Sequence, residues 1–196
     1  VYAPPAGMPE VGPLPALQGR PFTFGCFSRM ARINDRVIAT WAEILKAVPE
    51  ARLVLNSKPL QEAVIRESTA ARFAAHGIDP ARIDMVYTTP QPTTWAAYRD
   101  IDVALDPFPH NAGTTTFEAL WMGVPVVSLK DRPPVGRFGA AILGAMGLDA
   151  WVADSTQAYV AIAVKAAADR DALALLRQSL RARMNTSPLR DAQGLA

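Results

Sequence analysis

Short apolar segments alternate with longer amphipathic segments along most of this 196-residue chain. The apolar segments lack polar alternation, which is typical of strands that are buried on both faces. They predict five strands, at residues 23–27, 52–55, 82–87, 101–105 and 124–129. The other segments repeat apolar residues at helical spacing. They predict helices at residues 35–48, 60–76, 93–99, 114–122, 135–146, 155–168 and 170–184.

The alternation of strand and helix predicts the fold class. Five successive strand–helix pairs indicate an α/β fold, a doubly wound parallel sheet with helices on both faces, of the Rossmann-like kind. Ligands of such folds bind beyond the carboxyl ends of the strands, where the strand order reverses. The loops 27–35, 87–93 and 106–114 are therefore candidate ligand-binding loops, with 129–136 as a fourth.

Composition narrows the class of protein. Half of the residues are hydrophobic and 19% are charged, which excludes a disordered chain. The net charge is only +2, so neither nucleic acid nor a membrane surface is expected as a partner. Cys26 is the only cysteine, which excludes an internal disulfide and a cysteine-based metal site. We therefore expect a reducing, cytoplasmic compartment, and no apolar run approaches the ~20 residues that span a bilayer.

The first 20 residues differ from the rest of the chain. They contain five prolines, which exclude a regular helix there. We expect residues 1–20 to be a lead-in or linker and residues 21–196 to form one domain. Both ends look cut, so we expect the chain to be a piece of a longer protein.

Residues 106–125 carry the most informative motif. They pass from the end of an apolar strand through a loop rich in Pro, Gly and Asn into a helix that begins Gly113-Thr-Thr-Thr-Phe-Glu118. Free N–H groups and the helix dipole at such a start can bind a phosphate, and Glu118 could then reach a ribose hydroxyl. Thr115 and Glu118 also have the spacing of a capping box. Spacing alone leaves the phosphate site and the structural cap equally open.

Three arginines and one histidine are further candidates near this loop. Arg29 and Arg32 follow the first strand, and their guanidinium groups suit bidentate contact with phosphate oxygens. Arg137 opens a later helix and could close on the same anion, while His110 could line the pocket. The alternative for the three arginines is a set of solvated surface charges.

The Asp100-Ile-Asp102 sequence matches the Asp-x-Asp pattern of metal-dependent nucleotide-sugar enzymes. Its carboxylates enter a strand at the end opposite the expected ligand crevice. Polar residues are common where a helix ends and a strand begins, and this explains both carboxylates. We therefore reject a metal site here.

With these residues in place, the chain resembles the C-terminal catalytic lobe of the O-GlcNAc transferase/SPINDLY family of glycosyltransferases. The resemblance covers nearly the whole chain, and bacterial SPINDLY-like proteins look closest. It implies a GT-B architecture with two Rossmann-like lobes, of which residues 21–196 are the nucleotide-sugar donor-binding lobe and residues 1–20 the interlobe linker. The N-terminal lobe and the helical repeats that bind acceptor proteins would then lie outside this chain. The resemblance rests on residues 24–33, 41–49, 52–55, 102–106, 114–127 and 147–149.

The resemblance also implies roles for individual residues. Thr114 and Thr115 would meet the donor diphosphate, and Glu118 would stand near the ribose. Arg32 takes the place of a phosphate-contacting Lys and would be the catalytic group that stabilises the leaving diphosphate. Arg29 replaces a donor-contacting Gln of the animal enzymes, and Arg137 matches an Arg that opens a helix. Gly113 and Thr94 stand where many members have donor-binding histidines.

The expected function is transfer of a sugar, GlcNAc from UDP-GlcNAc, to Ser or Thr hydroxyls of proteins, with inversion and without a metal or other cofactor. This piece alone would be inactive. The two replaced histidines leave an alternative open, a non-catalytic nucleotide-sugar-binding or scaffold domain. A sugar-nucleotide epimerase is a third possibility, disfavoured because only His110 and Glu118 offer acid–base groups in the crevice.

Overall fold

The computed structural model describes residues 1–191, so the last five residues of the predicted 21–196 domain lie outside the described residues. Residues 1–191 contain one parallel sheet with the strand order β3-β2-β1-β4-β5-β6. This order confirms the doubly wound parallel fold. The strands are β1 (Thr23–Cys26), β2 (Arg52–Asn56), β3 (Ile83–Val86), β4 (Val103–Leu105), β5 (Val126–Leu129) and β6 (Val152–Ala153).

Helices cover both faces of the sheet, as predicted. Apolar side chains form a core on each side of it, one around Trp41 and Phe24 and the other around Leu120 and Val124. The helices are α1 (Asp35–Ala47), α2 (Ala63–Ala74), α3 (Gln91–Ala97), α4 (Thr114–Trp121), α5 (Phe138–Gly144), α6 (Thr156–Ala168) and α7 (Arg170–Asn185).

Several element boundaries differ from the prediction. The strand β6 pairs with β5 through Ser128 and Leu129 and was not predicted, because two residues are too few for a pattern. The helix α3 begins at Gln91, and neither Thr93 nor Thr94 caps it. Its first turn contains a proline, which is tolerated there because that N–H would have no helical partner. The helix α5 is shorter than the predicted 135–146, because a 3-10 turn occupies residues 134–136.

The helix α1 begins where its sequence signal predicts. Asn34 is the N-cap residue, and its Oδ1 accepts a hydrogen bond of 3.1 Å from the Val37 amide. Such a cap contributes about 1 kcal/mol to helix stability. This helix follows directly on the loop after β1, so the cap also fixes where that loop ends.

The lead-in of residues 1–20 packs on the domain. Asp102 is fully buried and accepts hydrogen bonds from the Ala16 amide (2.9 Å) and the Thr23 amide (2.8 Å). Arg177 is also fully buried and donates to the carbonyls of Gly12 (3.0 Å) and Ile101 (2.9 Å). These contacts join the lead-in to β1, β4 and α7. In residues 1–191, no helix is both long and apolar enough to cross a bilayer.

Candidate functional site

The strand order reverses between β1 and β4, and the loops that follow these two strands meet at their carboxyl ends. The side-chain amide of Asn34, at the end of the first loop, donates to the Phe108 carbonyl of the second loop at 2.7 Å. The loops 27–35 and 106–114 are therefore brought together, as the sequence predicted.

The helix α4 begins at this junction without a side-chain cap. Gly113 is its N-cap residue, and its side-chain-free position provides no cap for the N–H groups of the first turn. Among residues 1–191, no protein acceptor contacts the backbone N–H groups of Gly113, Thr114 or Thr115. Three unsatisfied donors and the positive end of the helix dipole thus face the same crevice. The capping-box interpretation of Thr115 and Glu118 is wrong.

Glu118 does not cap α4 because its carboxylate is held elsewhere. Its Oε1 accepts hydrogen bonds from Trp95 Nε1 (3.2 Å) and Gln91 Nε2 (3.3 Å), and its Oε2 accepts one from the Tyr98 hydroxyl (3.5 Å). Burial raises the pKa of the Glu118 carboxyl, and the bonds from Trp95 and Tyr98 oppose that rise. A buried carboxylate with prearranged donors therefore stands one turn inside α4.

Asp106 holds the loop that leads into α4, a role that sequence reasoning missed. Its buried carboxylate accepts hydrogen bonds from the Ser128 hydroxyl (2.6 Å) and the Ala112 amide (2.7 Å). Burial raises the pKa of Asp106 to about 7, although both bonds and the nearby Arg32 charge lower it. Asn111, fully buried in the same loop, donates to the carbonyls of Pro107 and Leu129. The only sequence signal for these two residues is their polarity in the loop that follows an apolar strand.

The predicted cations differ in their exposure and in whether they line the cleft at the α4 start. Arg32 is half-buried, lines the same cleft as Thr114 and Thr115, and donates to Ser28 Oγ at 3.3 Å. Arg29 is exposed, lines this cleft as well, and its guanidinium has no partner among residues 1–191. Arg137 is exposed and does not line this cleft, although the next residue, Phe138, does.

His110 does not lie where the sequence suggested. It is exposed on the loop before α4 and lines neither cleft at the α4 start, because the loop turns its neighbour Asn111 inward instead. The structure therefore gives His110 no contact with the crevice.

Two adjoining clefts open at the start of α4. The smaller, about 280 Å³, is lined by Arg29, Arg32, Gly113, Thr114 and Thr115, together with Phe27, Ser28, Asn111 and Phe138. The larger, about 940 Å³, contains Glu118 and extends over the ends of β2 and β3. Thr115 lines both clefts, so one elongated ligand could occupy both while its middle lies on the helix start. Both volumes are in the range of small-molecule sites or close to it.

Sequence reasoning missed several polar groups of the larger cleft. Asn56, at the end of β2, donates to Thr88 Oγ1 (2.6 Å) and accepts from the Thr88 amide (3.1 Å). Thr94 donates to the Thr88 carbonyl at 2.7 Å, so it fixes the loop after β3. This network gives Thr94 a structural role in the loop after β3.

The Asp-x-Asp sequence has structural partners. Asp100 pairs with Arg20 at 2.7 Å, and Asp102 accepts the two amides described above. Both carboxylates stand at the amino end of β4, opposite the clefts. Among residues 1–191, no group of three or more potential ligands is arranged for a metal ion.

The sheet order and the clefts at its switch point define one Rossmann-like lobe of a GT-B glycosyltransferase. The chain belongs to glycosyl transferase family 41, whose family model matches residues 16–196. It is 39% identical over 189 residues to a probable UDP-N-acetylglucosamine–peptide N-acetylglucosaminyltransferase SPINDLY of Oryza sativa subsp. japonica, and the match covers 94% of this chain. The chain spans 20% of the length of that relative.

Two further proteins agree with this assignment. A UDP-N-acetylglucosamine–peptide N-acetylglucosaminyltransferase of Caenorhabditis elegans is 31% identical over 166 residues, which are 84% of this chain and 14% of that protein. Among solved structures, a mutant O-GlcNAc transferase of Thermobaculum terrenum superposes with a TM-score of 0.88 at 36% identity. That match covers 93% of this chain and 34% of the other.

Proposed function

We propose that this chain binds the nucleotide-sugar donor of a glycosyltransferase that moves a sugar to Ser or Thr hydroxyls of proteins. The expected donor is UDP-GlcNAc, which is consistent with the names of the relatives in rice and C. elegans. The observation that carries the proposal is the uncapped start of α4, which faces Arg32 across the smaller cleft. A diphosphate there would meet the amides and hydroxyls of Thr114 and Thr115 and the Arg32 guanidinium.

The position of Glu118 supports a nucleotide rather than a free diphosphate. A carboxylate has about four acceptor sites, and three hydrogen bonds from protein donors reach Glu118. One site therefore remains for a ligand, and Glu118 lines the larger cleft. A ribose hydroxyl is the matching donor when the diphosphate lies on Thr115.

The proposed chemistry needs no metal. When the acceptor hydroxyl attacks the sugar, the bond from the sugar to the nucleoside diphosphate breaks and negative charge grows on this leaving group. The hydroxyl proton would go to a base that the other lobe or the substrate supplies. The amides of Thr114 and Thr115 and the Arg32 charge are in place before the reaction, so they stabilise this charge without reorganisation. Each such donor contributes about 2.7–4 kcal/mol to the transition state in other enzymes.

We propose that transfer of the sugar requires parts of the protein that lie outside this chain. The acceptor protein would bind to the N-terminal lobe and helical repeats of the longer protein, so this piece alone would bind the donor without transferring sugar. We also propose a cytoplasmic protein, which the single buried Cys26 supports. Fractionation of cells that express the full-length protein tests the location.

Ligand binding to the chain tests the proposal. Calorimetry and thermal unfolding with UDP, GDP and ADP should show one preferred diphosphate. At a hundred times its Kd, a ligand stabilises the folded chain by about 2.7 kcal/mol, which raises the Tm by roughly 5–10 °C for a protein of this size.

Variants locate the binding. Replacing Thr115→Val and Arg32→Ala together should abolish the rise in Tm. Thr156→Val with Arg183→Ala is the matched control, because Thr156 also begins a helix and Arg183 is exposed. The control should keep the full rise. Absence of binding by all three diphosphates at millimolar concentration would reject the proposal.

A further inference from the structure

Phe138 places an aromatic ring in a cleft whose other lining side chains are mostly polar. The ring is 49% exposed, which is unusual for a phenylalanine in a folded core. It shares the smaller cleft with Arg32 and Thr114. An exposed aromatic ring beside a cationic and a hydroxyl side chain suits a ligand that carries both an apolar face and a negative charge.

The two clefts define which end of the ligand Phe138 would meet. Glu118 lines only the larger cleft and Phe138 only the smaller, while Thr115 lines both. With the diphosphate on Thr115 and the ribose at Glu118, the group on the far side of the diphosphate points toward Phe138. In a nucleotide sugar that group is the sugar that is transferred.

The backbone around Phe138 is held in place by the site itself. The next residue, Gly139, donates its amide to Asn111 Oδ1 at 3.4 Å. A side chain at Gly139 would collide with Ser128 and Asp106, so the chain passes directly over those two residues. The segment is therefore fixed to the same loop that presents α4, and the ring is positioned before a ligand arrives.

We propose that Phe138 packs against the apolar C–H face of the transferred sugar and selects sugar-bearing donors over the free diphosphate. This inference rests on the proposed function. The polar groups of the smaller cleft bind the diphosphate of either ligand, whereas the Phe138 ring gains contact only when a sugar is attached. Phe138 is thus a specificity-determining residue, separate from the groups that stabilise the leaving diphosphate.

The test compares each diphosphate with its sugar derivative. Calorimetry gives Kd for two pairs, UDP with UDP-GlcNAc and GDP with GDP-mannose, so the result does not depend on the base. Phe138→Ala should weaken binding of the sugar derivative by about 3- to 10-fold, the range of an aromatic contact, and leave the diphosphate within twofold. Phe138→Tyr keeps the ring and should retain the wild-type ratio.

Two controls separate this effect from misfolding. Leu175→Ala removes a side chain that is 76% exposed on α7 and should change neither Kd. Phe138→Leu keeps apolar bulk without the ring and should lie between the wild type and Phe138→Ala. Equal losses for both ligands, or no loss for either, would overturn the role of Phe138 while the proposed function stands. Failure of the wild-type chain to bind any of the four ligands would overturn both.

Discussion

The buried carboxylate of Glu118 offers the sharpest single perturbation. Glu118→Gln keeps the size of the side chain, and its amide can still accept from Trp95 and Gln91 while its NH₂ faces the Tyr98 hydroxyl. The remaining ligand contact changes from a charged acceptor to a neutral group. A hydrogen bond to a charged group contributes about 1.5–3 kcal/mol, so we expect the Kd for the preferred diphosphate to rise by about 10- to 150-fold.

Deoxynucleotides show whether the lost contact is to the ribose. Calorimetry with the 2′-deoxy and 3′-deoxy forms of the diphosphate should show a loss in the wild type for at least one of them. The Glu118→Gln variant should bind that deoxy form and the parent diphosphate with the same weakened affinity. Glu62→Gln, an exposed carboxylate at the rim of the same cleft, is the matched control and should change Kd by less than twofold.

The pH dependence of binding gives a second measure of the same contact. Because burial raises the pKa of Glu118, its protonation begins at a higher pH than for an exposed glutamate. The wild-type affinity should therefore fall toward that of Glu118→Gln as the pH decreases. Unchanged affinity for both deoxy forms in the wild type would refute the ribose contact.

Three further predictions concern the scaffold. Arg177→Met leaves buried carbonyls without a donor and should lower the free energy of unfolding, measured in urea, by about 3–5 kcal/mol. Arg183→Met, at an exposed position, should change this free energy by less than about 0.5 kcal/mol. Equal effects of the two variants would contradict the role of Arg177. Burial keeps Asp106 protonated in the folded chain up to a pKa of about 7, against its ordinary 3.8. The free energy of unfolding of the chain should thus fall by up to about 4 kcal/mol as the pH rises from 4 to 7. Asp106→Asn should remove this fall when unfolding in urea is measured across the same pH range. An unchanged pH profile in the variant would contradict the role of Asp106. Asn34→Ala should lower the free energy of unfolding by about 1–2 kcal/mol in the same assay. Asn34→Ser keeps an oxygen that can cap the helix, loses the bond to Phe108 without placing a charge there, and should lie closer to the wild type. The reverse order would count against the cap.

The fold could be predicted because its signals are local. Buried parallel strands appear as continuous apolar runs, and the Asn34 cap and the start of α4 follow from residues adjacent in the sequence. The strand β6 was missed because Val152 and Ala153 alone carry no period. Its pairing depends on the edge that β5 offers, which only the folded sheet provides.

The site was predictable only in part, because contacts between distant residues decide it. Spacing could not distinguish a capping box from an open anion site at Thr115 and Glu118. The side chains that hold Glu118 are Trp95, Tyr98 and Gln91, which lie 20 or more residues away in the sequence. The roles of Arg29, Arg32 and Arg137 in binding remain predictions, and the Arg32→Ala variant above tests that of Arg32.

A crystal structure of this chain with the preferred nucleoside diphosphate tests the central claim most directly. We expect the diphosphate oxygens to lie within hydrogen-bond distance of the Thr114 and Thr115 amides, with Arg32 on the other side and the ribose at Glu118. Diphosphate bound elsewhere, with the start of α4 open to solvent at saturating ligand, would contradict it.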